Sequence, residues 1–255
     1  MHTAPRRAIE WGRAWRAIQI LRASPDRIDQ TFEVMIALDG GQMEDWFQRL
    51  LSEPEGPSLL EERPSLLAVL SDQQTLSRLP EGSLGHAYVE LMRHTQNGAD
   101  GLSRAKAMVP AVAEICPGPE RQWFLERNGC THDLLHCLTG YGQDWAGECA
   151  LLAFDHGLFP MRARLLGVMG VTLSAPPWVY RFMYQAWRRG RRARVPDSFR
   201  WEAALRRPLA EVRTELGIDP LAKAHPQGLL RGGQTFGPWR YEPVTALQAS
   251  VVQQS

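Results

Sequence analysis

Four side chains that can ligate a metal stand close together near the middle of the chain. His132, Asp133 and His136 fall in the run His132-Asp133-Leu134-Leu135-His136, and Glu148 follows after eleven further residues. Residues four apart on an α-helix lie about 40° apart around its axis, so both imidazoles can converge on one ion. Neutral imidazoles and carboxylates are common ligands of zinc and iron at catalytic sites. Such a metal polarises a bound oxygen group as a Lewis acid. Two histidines and one carboxylate around iron also match the ligand set of oxygen-activating sites. Asp133 lies about 100° from His132 and about 60° from His136 on the wheel. It is placed to be a fourth ligand or an acid–base group beside the metal.

The spacing His-Asp-x-x-His also invites comparison with the His-Glu-x-x-His of zinc peptidases, where the middle Glu is the general base. Asp is one methylene shorter, and here the next ligand comes after only eleven residues. A hydrolase is therefore the third-ranked reading.

Two neighbouring helices must position these groups. Pro117-Gly118-Pro119 precedes a predicted helix over Glu120 to Leu138. Its Leu134 and Leu138 lie opposite the histidines, so it can bury leucines while presenting imidazoles to a cavity. Thr139-Gly140-Tyr141-Gly142 reads as a turn, and Gln143 to Phe154 as the returning helix that carries Glu148. That helix is expected to break at Gly157 to Pro160, which leaves His156 beyond its end in a structural role. His86 and His94 lack partners in sequence and read as ordinary. Helical periodicity recurs elsewhere, with breaks at Gly40-Gly41, at Pro54 to Pro57 and at Pro176-Pro177. No strand set or βαβ alternation is evident. The expected class is all-α: a single helical domain over 1–224 with a two-helix metal-binding core, then a poorly ordered tail over 225–255 rich in Gly, Gln and Pro.

The bulk composition narrows the partners. Net charge is +1, so no global field recruits nucleic acid. Cys116, Cys130, Cys137 and Cys149 form no C-x-x-C pair and read as free thiols. No run reaches 18 apolar residues without a charge or a Pro, so no membrane-spanning helix is expected. At the start of the chain, Trp11, Trp15 and Ile18 recur at helical spacing and are expected to face a core.

The segment from His132 to Glu148 resembles the signature of the Coq-four family of ubiquinone (coenzyme Q) biosynthesis proteins. Leu79-Pro80-Glu81-Gly82-Ser83-Leu84-Gly85-His86-Ala87-Tyr88 and Gly157-Leu158-Phe159-Pro160-Met161 are similar to the same family. So are Ala186-Trp187-Arg188-Arg189-Gly190-Arg191-Arg192-Ala193 and Arg207-Pro208-Leu209-Ala210-Glu211-Val212-Arg213 with the Glu215-Leu216-Gly217-Ile218 that follows. The likeness runs in consistent order over roughly residues 10 to 220. One departure stands out: Gly129-Cys130-Thr131 occupies the place where the family pattern has an Arg followed by an acidic residue.

The resemblance implies an all-helical, metal-dependent protein, peripheral to the membrane, with zinc or iron held by His132, Asp133, His136 and Glu148. The implied activity is removal of the ring carboxylate of a polyprenyl-4-hydroxybenzoate, coupled in some versions to hydroxylation at that carbon. Asp133, or a water on the metal, would supply the proton. The prenyl tail calls for an apolar groove, and the stretch Leu165 to Trp187 is the candidate, with Val168, Met169, Val171, Leu173, Trp178, Val179, Phe182 and Met183. Arg188, Arg189, Arg191, Arg192 and Arg194 follow. They suit either an anionic membrane surface or a solvated helix end. Expected partners are the prenylated substrate, membrane lipids, other ubiquinone biosynthesis proteins and further copies of the chain in a homo-oligomer. The expected location is the cytoplasmic face of a bacterial inner membrane, or the matrix side of the mitochondrial inner membrane in a eukaryote. The rival reading is a non-catalytic scaffold that binds lipid or quinone and presents it to partner enzymes.

Overall fold

The computed structural model describes residues 6–24, 27–93, 112–142, 145–172, 177–221, 235–236 and 239–240. The class is all-α. Among the described residues the one exception is a short antiparallel pair, β1 (Thr235–Phe236) with β2 (Trp239–Arg240). Apart from that pair, the expected tail lies outside the described residues, as does His94.

The chain divides into two compact units that alternate along the sequence. The first comprises Met1–Asp133, Met161–Ala163 and Val195–Arg207. It holds α1 (Trp11–Ala23), α2 (Ile28–Ala37), α3 (Gln42–Ser52), α4 (Gly56–Glu62), α5 (Leu66–Ser71), α6 (Gln73–Leu76), α7 (Leu84–Arg93) and α8 (Val112–Ile115). To these it adds the first part of α9 (Pro119–Thr139) and a short helix, Trp201–Ala204. The second unit comprises Leu134–Pro160, Arg164–Arg194 and Pro208–Ser255. It holds the end of α9, α10 (Trp145–Leu158), most of α11 (Arg162–Thr172), α12 (Pro177–Arg192) and a later helix. In chain order the Trp201–Ala204 helix is α13, and the later one is α14 (Leu209–Glu215).

In the first unit α9 is held by charge as much as by packing. Phe124 of α9 packs edge-on against Trp46 and Phe47 of α3, at centroid distances of 5.3 and 5.7 Å. One turn earlier the buried Arg121 forms a fork on the buried Glu44, at 2.5 and 2.9 Å. Glu44 sits in the first turn of α3, where the helix dipole favours a carboxylate. Arg127 makes a second fork on Glu202 of α13, at 2.6 and 3.0 Å. Fork-on-carboxylate pairs fix orientation as well as distance, so these two set the rotation of α9 about its axis.

The rotation of α1 differs from the sequence expectation. Trp11 and Trp15 are 63% and 60% exposed, whereas Ala14 and Ala17 are buried. Small side chains let the α1 and α2 backbones approach closely. A Glu10 N–H bond to the Ala37 carbonyl (2.8 Å) and the Arg13–Glu33 pair (2.7 Å) pin that alanine face inward. Apolar spacing marks a stripe, but backbone pinning decides which stripe is buried.

In the second unit α10 and α12 cross in close contact. A Cβ added at Gly190 would lie 2.0 Å from the Phe154 carbonyl oxygen, and one at Gly157 would lie 2.4 Å from that of Trp187. Only glycine permits this crossing. Helix α10 runs past the expected Phe154 to Leu158, and it ends inside the expected break at Gly157 to Pro160. His156 lies inside the helix.

Candidate metal centre

Helix α9 carries both histidines on one face, with Leu134 and Leu138 fully buried on the other. It ends at Gly140, which takes φ 76° and returns its N–H to the His136 carbonyl at 2.9 Å. The turn is tight. A Cβ on Gly147, in the first turn of α10, would lie 1.9 Å from the Gly142 carbonyl oxygen. Glu148 is thereby delivered at the N-terminus of α10, and His136 stands in the last turn of α9. The negative end of the α9 dipole favours a cation at that place.

Donor atoms of His132, His136 and Glu148 all lie within 4.8 Å of one another. The His136 imidazole is buried, and its Nε2 is 3.2 Å from Oε1 of Glu148, whose side chain is 40% exposed. Nδ1 of His136 is 2.9 Å from the carbonyl oxygen of Tyr141. A carbonyl only accepts, so Nδ1 carries the hydrogen and donates it. Nε2 then faces a carboxylate oxygen, and these two groups attract only through a proton or a metal cation between them. Two ligands on a tetrahedral zinc, each about 2.1 Å from the ion, sit roughly 3.4 Å apart. The His136–Glu148 separation already fits that spacing, so His132, His136 and Glu148 could hold a metal ion. Asp133 is half-buried and stands outside the trio.

A cavity of about 390 Å³ runs beside the same helix, within the range of small-molecule sites. Its lining includes Ala153 and His156 of α10, Leu165 and Val168 of α11, and Tyr180, Met183, Tyr184 and Trp187 of α12. His156 is eight residues beyond Glu148 on α10, which places it about 12 Å farther along the axis. Of the groove residues named from sequence, Val168 and Met183 line the cavity. Met169 is exposed, and Phe182 is buried edge-on against Tyr141, 5.7 Å away. Leu173 and the side chains of Val171 and Trp178 lie outside the described ones. His156, Tyr180 and Tyr184 were not picked out from sequence. Their only signal there is a polar tip on a face otherwise made of apolar residues.

The five arginines also separate. Arg188, Arg191, Arg192 and Arg194 are exposed. Arg188 lies over the Tyr184 ring at 5.9 Å and Arg191 over Trp187 at 5.6 Å. Arg189 turns inward, which departs from its expected place at a membrane surface. Its guanidinium stacks 4.7 Å from the Tyr141 ring centre and donates to the carbonyls of Thr139 (3.0 Å) and Asp219. Burial pushes the Tyr141 hydroxyl up, and the nearby Arg189 charge offsets part of that.

The family model described as coenzyme Q (ubiquinone) biosynthesis protein Coq4 matches residues 24–222. The chain belongs to the Coq4 family. Among its relatives is the rat protein named ubiquinone biosynthesis protein COQ4 homolog, mitochondrial. It is 29% identical over 193 residues, covering 71% of this chain and 67% of its own length. A homologue from Culex quinquefasciatus is 30% identical, over 68% of this chain and 62% of the relative. The COQ4 protein of Yarrowia lipolytica is 28% identical, over 68% and 64%. The chain thus spans about two thirds of the length of these Coq4 relatives. A solved chain from Nostoc punctiforme, provisionally described as a ubiquinone biosynthesis protein, superposes with a TM-score of 0.57 at 22% identity. That match covers 83% of this chain and all of the other, and it supports the helical fold.

Proposed function

We propose that this Coq4-family protein is a metal-dependent enzyme of ubiquinone biosynthesis that removes the ring carboxylate of a polyprenyl-4-hydroxybenzoate. One observation carries the reading: His132, His136 and Glu148 converge at one end of α10 while an apolar cavity opens along the same helix. A polar ring and a long hydrocarbon tail need those two environments side by side.

His132, His136 and Glu148 would hold zinc or iron, which when bound supplies Lewis acidity toward the substrate's carboxylate or phenolate. The cavity walls, Leu165, Val168 and Met183, would take the tail and exclude water. Asp133 would hold the proton that goes to the carboxyl-bearing ring carbon. As the carbon–carbon bond breaks, its electron pair stays on the ring and carbon dioxide leaves, with the para oxygen holding charge in between. Hydroxylation at the same carbon would additionally consume dioxygen and two electrons from a donor.

Membrane association supports access to such a substrate. Among the described residues no helix is long and apolar enough to cross a membrane. Helices α11 and α12 carry no acidic residue, and Arg188, Arg191 and Arg192 of α12 are exposed. Exposed Leu165, Met169, Tyr180 and Tyr184 lie beside them, a mixture suited to anionic headgroups. The same cavity and face favour a second reading, a non-catalytic carrier or scaffold for prenylated quinone precursors.

The deciding experiment follows turnover of a prenylated 4-hydroxybenzoate by mass spectrometry, in air and under argon. Metal analysis of the wild type, His132→Ala and Glu148→Ala runs in parallel. Loss of carboxylate in the wild type but not in the variants supports the enzyme. Bound ligand that is never converted supports the carrier. Full metal and full turnover in both variants would remove the trio from the account.

A further inference from the structure

We propose that Arg189 is a positioning residue for the metal ligand His136, acting through Thr139 and Tyr141; this rests on reading the trio as a metal site. The His136 ring is aimed by its Nδ1–H bond to the Tyr141 carbonyl. That carbonyl lies in the turn past the end of α9. Side chains pack on the residue that carries it. The Tyr141 ring is buried between Phe182, edge-on at 5.7 Å, and the Arg189 guanidinium at 4.7 Å.

The same guanidinium donates to the Thr139 carbonyl at 3.0 Å. The Thr139 hydroxyl bonds the Leu135 carbonyl at 2.6 Å and receives the Tyr141 N–H at 3.3 Å. Arg189 thus grips the turn on both sides of Gly140, once by hydrogen bond and once by stacking. A planar guanidinium stacks flat on the ring and keeps its N–H donors in plane for the carbonyls, a geometry an ammonium lacks. A partner that orients a ligand stands in this chain at the turn, away from Gly129-Cys130-Thr131, where the family pattern placed the Arg and the acidic residue.

Arg213 supplies an internal comparison. It donates to the carbonyls of Leu138 and Cys137, both at 2.8 Å. It caps the same helix end while its hydrogen bonds go to residues before the turn. If Arg189 merely capped α9, the two arginines would behave alike.

The test is competitive zinc titration and cobalt(II) absorption on the full chain, with unfolding temperature measured in chelator. Wild type and His136→Ala report on the trio itself. A wild type that binds no metal, or a His136→Ala that binds as well as wild type, overturns the trio reading and this proposal with it. Given wild-type binding, R189A is expected to raise the zinc Kd about 10–100-fold, as loss of a ligand-orienting partner does. Its cobalt spectrum should change as well. R189K keeps the charge but not the fork, and is expected to fall between. R213A is expected to lower the unfolding temperature and keep the wild-type Kd and spectrum. Wild-type zinc affinity in both R189A and R189K overturns the proposal, as does an R213A that weakens zinc as much as R189A. Should R189A fail to fold, R189K against R213A decides the matter on the same readouts.

Discussion

Nε2 of His136 and Oε1 of Glu148 face each other at 3.2 Å, one on a buried ring and the other on a half-exposed carboxylate. The ring's other nitrogen donates to a carbonyl, so a proton or a metal cation must join this pair. The first prediction is that Glu148→Gln, which keeps the shape and removes the charge, weakens zinc binding at least about tenfold. In wild type, a metal present at 100 times its Kd adds about 2.7 kcal/mol to stability. Chelation should therefore lower the unfolding temperature by roughly 5–10 °C. Calorimetry with and without chelator checks this, and an unchanged transition would contradict it.

Gly190→Ala should destabilise the second unit. The added methyl would sit 2.0 Å from the Phe154 carbonyl oxygen, a backbone atom that cannot rotate away. Overpacking of this kind costs about 1–3 kcal/mol. Denaturant unfolding should show that loss, together with weaker binding of a prenylated ligand, since α10 and α12 both line the cavity.

Glu44 and Arg121 form a buried pair in the first unit. Removing one partner strands the other charge, and Glu44→Ala should cost about 3–5 kcal/mol. The double variant E44L/R121L should recover most of that, because no charge is left uncompensated. Equal losses in single and double variants would show that shape, not charge, holds this contact.

The exposed Glu62 carboxyl is lowered to about 2 from an ordinary 4.5, chiefly by its hydrogen bond to Arg200. A depressed folded-state value means the unfolded chain binds the proton more readily. This contribution is complete above pH 4.5 and disappears as pH falls toward about 2. Melting temperature followed over that window should fall less steeply in E62Q than in wild type. The difference should shrink in high salt, since the pair is exposed.

Arg188, Arg191 and Arg192 are exposed, and each is worth about 1 kcal/mol near anionic headgroups. Reversing all three should abolish flotation with phosphatidylglycerol vesicles and leave any binding to phosphatidylcholine vesicles unchanged. Arg189 stays intact in this variant, so the metal affinity should not change. Equal flotation of the triple variant and wild type would remove the arginine face from the membrane account.

Local order carries much of this protein. The His132/His136 spacing, the glycine stop at Gly140 and the return to Glu148 are properties of adjacent residues, so the two-helix core was legible in the chain itself. The all-α class was legible for the same reason, since helical periodicity repeats within a few turns.

Tertiary structure alone decided which face each helix buries and which neighbours share a side chain. The α1 stripe shows it: Ala14 and Ala17 are covered because α2 is pinned against them, while Trp11 and Trp15 stay in solvent. The arginine run shows it again. Five similar residues in one segment look alike in sequence, yet only Arg189 lies where Tyr141 and two carbonyls converge. Gly157 and Gly190 are glycines because α10 and α12 cross with backbone against backbone at those two positions. Each of these depends on residues distant along the chain, and spacing within one helix holds no information about them.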